Sequence, residues 1–129
     1  MRMRMKRIFL TMLLLALAAT VVSAGVAKDI TSTEAKTIMD KRKNAYLLDV
    51  RTPDERRQGY IPNSVLIPID MVGKRLAEIP KNRPVIVYCA VGSRSRSVAQ
   101  ALANSGYPEV YNMRDGIFGW YRNGLPVRQ

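Results

Sequence analysis

Pro84-Val85-Ile86-Val87-Tyr88-Cys89-Ala90-Val91-Gly92-Ser93-Arg94-Ser95 passes from the most hydrophobic stretch downstream of the first two dozen residues into a polar helix start. Val85 to Tyr88 is a short, continuous apolar run, the pattern of a strand buried on both faces. A loop from Cys89 to about Arg94 follows. A helix then runs from Ser95 to Ser105 and stops at Gly106. Strand, loop and helix in this order make an α/β unit. In sheets built from such units, ligands bind beyond the carboxyl ends of the strands. The chain's single cysteine therefore stands at the edge where chemistry is expected.

The residue types in the loop suit a reactive thiol. Curled into a cradle, Ala90, Val91, Gly92, Ser93 and Arg94 turn their backbone N–H groups toward the sulfur of Cys89. The following helix adds the positive end of its dipole. Gly92 permits the tight path, and Arg94 brings positive charge. These features favour thiolate over thiol, and the thiolate is the nucleophile. The competing reading is a buried, inert cysteine at a strand end. The glycine, the arginine and the helix start together argue against it.

Outward from this segment, strand and helix signals alternate. Thr31-Ser32-Thr33-Glu34 has capping-box form and opens a helix reaching about Lys41. Ala45 to Val50 reads as a buried strand. Thr52-Pro53-Asp54-Glu55 is a second capping box with proline at the first helical position, closed by Gly59. Ser64 to Ile67 is a short strand, and a helix is expected from Asp70 to before Pro80. Val110 to Met113 is a last strand and Gly116 to Arg122 a last helix. The alternation predicts an α/β domain with a mainly parallel central sheet and helices on both faces. The only linker expected is roughly Gly25 to Lys28.

The first 24 residues read differently. Arg2, Arg4, Lys6 and Arg7 precede an apolar run, and Val22-Ser23-Ala24 offers a small-residue cleavage pattern. That is the order of a secretory signal peptide. The 17 residues from Ile8 to Ala24 are at the short edge of what spans a bilayer, so cleavage after Ala24 is favoured over a retained anchor. The expected mature product is one domain, residues 25–129, exported to the periplasm or beyond, with no stable membrane association. Its formal charge falls from +11 to +7, because the leader holds four basic and no acidic residues. The remaining basic residues are scattered and not interleaved with aromatic platforms, so no nucleic-acid partner is expected. One cysteine allows no internal disulfide, and zero histidines exclude Ser-His-Asp and Cys-His catalysis. A metal site is not expected from this composition, nor is a cofactor.

The chain resembles a known family. Leu47-Leu48-Asp49-Val50-Arg51-Thr52-Pro53-Asp54-Glu55, with Gly59 to Ser64 and Ile67-Pro68, resembles the two amino-terminal signatures of rhodanese-like domains. Val85 to Ser95 is similar to their active-site segment. Val110 to Met113 with Gly116 to Trp120 is similar to their carboxyl-terminal signature. The resemblance covers about residues 28 to 127. It implies a three-layer rhodanese-like domain and a sulfurtransferase of the thiosulfate sulfurtransferase type. Cys89 would accept a sulfane sulfur from thiosulfate or a persulfide, become a persulfide, and pass the sulfur to cyanide or a thiol. A thioredoxin-like protein is one expected thiol partner. Residues Ala90 to Arg94 would cradle the donor. Asp49 and Arg51 match the family's strand-end pair, with a supporting role in holding neighbouring loops. Tyr60 stands where the family usually has histidine, and Ala90 and Val91 stand where many relatives carry polar or charged residues.

Two other functions share parts of this pattern. A phosphatase or arsenate reductase of the Cys-x5-Arg type needs arginine six residues after the cysteine; Ser95 is there, and Arg94 falls one position early. No second cysteine is present to resolve an arsenate intermediate. A non-catalytic persulfide carrier or sulfide-sensing module would keep the cysteine without turnover.

Overall fold

The computed structural model describes residues 25–129; the expected leader lies outside the described residues. Five parallel strands form one sheet: β1 (Lys28–Ile30), β2 (Tyr46–Asp49), β3 (Val65–Leu66), β4 (Val85–Tyr88) and β5 (Val110–Met113), in spatial order β1-β5-β4-β2-β3. Four helices accompany them: α1 (Ser32–Lys41), α2 (Pro53–Arg57), α3 (Ser93–Asn104) and α4 (Gly116–Arg122). The sheet is parallel at every pairing.

Side chains of β2 and β4 alternate between two cores, which is why both strands read as unbroken apolar runs. Leu48, Val85 and Val87 face one core with Val98, Ala99 and Leu102 of α3. Leu47, Ile86 and Tyr88 face the other with Ala35 of α1 and Ile117 and Trp120 of α4. Helices thus cover both faces, as the alternation requires.

Both capping boxes form. Thr31 and Glu34 cap α1 reciprocally, and Thr52 and Glu55 cap α2 with Pro53 at its start. Three boundaries differ from the sequence reading. Lys28, the end of the expected linker, and the two residues after it form strand β1, whose charged Lys28-Asp29 and single buried Ile30 give no periodicity. Helix α3 begins at Ser93, because Gly92 takes a left-handed φ of 98° and caps it. The helix expected from Asp70 is instead two 3-10 turns, Ile69–Met71 and Leu76–Glu78. Gly73 separates them, and the Tyr107 hydroxyl donates to the carbonyls of Leu76 and Ile79 at 3.1 and 2.7 Å. That hydroxyl thereby serves two carbonyls just before Pro80 that a helix ending there would leave without an intrahelical donor.

The strand order determines where a site can form. After β2 the chain turns outward to β3, and after β4 it turns the opposite way to β5. The loops leaving β2 and β4 diverge and open a crevice beyond their carboxyl ends. Asp49 and Tyr88 are register partners at that edge, and Cys89 is the next residue.

Candidate active site

Cys89 directly follows β4 and has no exposed surface. The amide N–H of Gly92 donates to its Sγ at 3.1 Å, and that of Ser95 at 3.4 Å. The Ser95 hydroxyl is also 3.4 Å from the sulfur. Burial by itself pushes the thiol pKa up. The Ser95 hydroxyl and the amides of Ser95, Val91 and Gly92 more than offset it, leaving the pKa below its ordinary value. The cradle therefore favours thiolate through hydrogen bonds at the first turn of α3.

Two contacts hold this geometry. The amides of Ile117 and Phe118, at the start of α4, donate to the carbonyls of Cys89 and Ala90 at 2.9 and 3.2 Å. Gly116 allows the approach: a Cβ there would lie 2.1 Å from the Ala90 carbonyl oxygen. On the other side Ser95 Oγ lies 2.6 Å from Asn112 Oδ1, and Asn112 Nδ2 donates to Asp29 at 3.1 Å. A chain of polar contacts thus links Cys89 through Ser95 and Asn112 to β1. Ser95 and Asn112 were not among the expected site residues. A polar side chain inside the last strand was the available signal for Asn112, since a buried amide needs partners.

The expected loop residues sit as follows. Gly92 and Ser95 supply the amide donors nearest the sulfur; Ala90 is half-buried, and Val91 and Ser93 are exposed. Arg94 does not direct a free charge into the cradle. Its two terminal nitrogens donate to the two carboxylate oxygens of Glu55 at 2.7 and 2.8 Å. Arg94 in turn holds the Glu55 carboxyl down at about 2, against the opposing effect of burial.

Asp49 and Arg51 lie beneath the loop rather than at the sulfur. Asp49 accepts from the Arg51 amide, Nε and Nη2 at 2.9 to 3.0 Å, and from the Tyr88 hydroxyl at 2.9 Å. Arg51 also donates to the Gly59 carbonyl at 2.8 Å. Arg56 reaches both Asp49 and Ser64. This buried network ties β2, α2 and the segment before β3 to the residue preceding Cys89.

A parallel α/β sheet with a lone cysteine cradled by backbone amides at a strand-to-helix turn defines a class of thiolate-centred proteins. A profile of the rhodanese-like domain matches residues 31–123 of this chain. Over 85 residues the chain is 42% identical to a sulfurtransferase from Allochromatium vinosum, covering 66% of this chain and 79% of that one. Over 89 residues it is 30% identical to the thiosulfate sulfurtransferase GlpE of Vibrio cholerae, covering 69% and 84%. A crystal structure of a rhodanese-like domain protein from Staphylococcus aureus superposes with a TM-score of 0.69 at 35% identity, covering 79% of this chain and 99% of that one. The chain belongs to the rhodanese-like domain family of sulfurtransferases.

Proposed function

We propose that this protein moves a sulfane sulfur from a donor to a thiol or cyanide through a persulfide on Cys89. The supporting observation is the sulfur of Cys89 at the focus of two amide donors and a hydroxyl, with a depressed pKa. The same donors suit the negative charge of a bound persulfide. A thiosulfate or persulfide donor loads the sulfur. Cyanide, a small thiol or the thiol of a thioredoxin-like protein unloads it. A phosphatase reading has less support: the arginine that would wrap a tetrahedral oxyanion is one position early and paired with Glu55.

Mass spectrometry of the purified protein, before and after donor, tests this reading. One added sulfur on Cys89, removed again by cyanide or thiol with turnover, is the expected result. Sulfur gained without turnover would make the chain a carrier, and no sulfur gained would refute the proposal. We also propose that the chain is exported with cleavage after Ala24, on the leader pattern of residues 1–24. Amino-terminal sequencing of protein recovered from cells should then begin at Gly25. A full-length chain held in the membrane fraction would overturn this.

A further inference from the structure

Glu55 has two tasks. Locally it completes the capping box of α2, accepting from the Thr52 amide at 3.2 Å. At long range its carboxylate takes both terminal nitrogens of Arg94 across the crevice. Arg94 is the only cation between Cys89 and Ser95. Arg51, the neighbouring guanidinium, is committed to Asp49. The cradle therefore offers amide dipoles while its loop cation is compensated.

A dianion such as thiosulfate approaches a thiolate against charge repulsion, and an uncommitted guanidinium is what would offset it. An organic persulfide carries at most one charge on its sulfurs and needs less help. Beside the loop, a cavity of about 270 Å³ is lined by Ala90, Phe118, Tyr121 and Val127 together with the polar Arg51 and Glu55. Phe118 is 51% and Tyr121 38% exposed. The apolar part of that lining suits the organic body of a donor, and the Glu55 carboxylate beside it disfavours a bare dianion.

We propose that Glu55 is a specificity-determining residue: by holding Arg94 it turns Cys89 away from dianionic donors and toward organic persulfides. The inference rests on the sulfur-transfer reading of Cys89. In the step it tunes, the Cys89 thiolate attacks the outer sulfur of R–S–SH. The Sγ–S bond forms, the donor S–S bond breaks, and the electron pair leaves on R–S⁻. The proton stays on the transferred sulfur, with no net oxidation. With thiosulfate the same attack expels sulfite.

The test is Glu55→Gln in the full chain. Glutamine keeps the capping box but carries no charge to hold Arg94. Rates of sulfur gain on Cys89 from thiosulfate and from 2-mercaptoethanol persulfide, whose organic body is uncharged, are compared by mass spectrometry. The thiosulfate rate should rise about tenfold or more, the scale of one charge-assisted contact. The persulfide rate should change less than about twofold on the same scale. Adding Arg94→Ala should abolish the gain. An unchanged donor ratio, or a gain that survives removal of Arg94, would overturn the proposal. A second readout needs no donor. Alkylation of Cys89 by anionic iodoacetate relative to neutral iodoacetamide should rise several-fold in Glu55→Gln, and an unchanged ratio would count against Glu55. Protein that loads sulfur from no donor defeats the sulfur-transfer reading, and the alkylation ratio still decides the role of Glu55.

Discussion

At the scale of single residues, Ser95 meets the sulfur twice. Its hydroxyl and its amide both lie 3.4 Å from Sγ and both lower the Cys89 pKa, the hydroxyl sharing its one proton with Asn112 Oδ1 at 2.6 Å. Ser95→Ala keeps the amide and removes the hydroxyl. The thiolate titration, followed by absorbance against pH, should move upward. Alkylation near neutral pH should slow by about twofold to tenfold, matching the ~0.5–1.5 kcal/mol of an ordinary hydrogen bond. A titration that does not move would mean the amides alone hold the thiolate. Cys89→Ser should abolish sulfur transfer with the fold intact, because oxygen cannot hold a persulfide; circular dichroism beside the turnover assay checks both halves. Cys89 was legible from the sequence because a lone thiol at a strand end, before a glycine and a helix start, has few other uses. Asn112 was not, because its partners Ser95 and Asp29 lie 17 and 83 residues away.

At the scale of elements, the cradle is a junction between the turn after β4 and the start of α4. Gly92 and Gly116 make the close approach possible. Each has a positive φ, 98° and 59°, and a Cβ on either would lie 2.1 Å from a backbone oxygen, of Arg114 and Ala90 respectively. Gly116→Ala should destabilise the protein by at least ~1–3 kcal/mol from backbone strain alone. It should also slow sulfur loading, since the Ile117 and Phe118 amides that orient the loop carbonyls must shift. The urea midpoint and the loading rate would be measured together; an unchanged midpoint would show that the turn relaxes freely. Helix α2 presents a similar coupling. Its capping box was legible from Thr52 to Glu55, four consecutive residues. The salt bridge of the same Glu55 to Arg94 was not, because it spans 39 positions.

At the scale of the whole molecule, Asp49 joins α2 and the β3 approach to the central strands. It is fully buried, and Arg51 is 4% exposed. Asp49→Ala leaves the Arg51 charge buried without its partner, which costs about 3–5 kcal/mol. Against a typical total of roughly 5–15 kcal/mol, that should lower the urea midpoint sharply; a small change would place the network outside the stability-determining core. The acid limb of stability should carry the mark of Glu55. Its carboxyl titrates near 4.5 unfolded and at about 2 folded. The unfolded chain therefore takes up the proton first, and stability falls as pH drops from about 4.5 toward 2. Glu55→Gln should flatten that window in a urea-by-pH series. An identical slope in both proteins would mean that the ion pair is lost before acid reaches it.

The sequence by itself determined the class of fold, the two capping boxes, the strand leading into Cys89 and the family. Each of these depends on neighbouring residues: periodicity, short-range hydrogen bonds, or contiguous motifs. Tertiary structure alone decided β1, the 3-10 turns in place of a helix, and the electrostatics of the site. β1 exists because β5 offers a free edge to three residues with little intrinsic signal. The segment after Pro68 is fitted to the core by Met71, Val72, Leu76 and Ile79 as two 3-10 turns rather than one helix. Arg94, placed by the sequence beside the thiol, is neutralised by Glu55 only because the strand order brings the β2 and β4 loops to one crevice. The charge on a loop can be counted along the chain, but whether it is free to act depends on what the fold sets across from it.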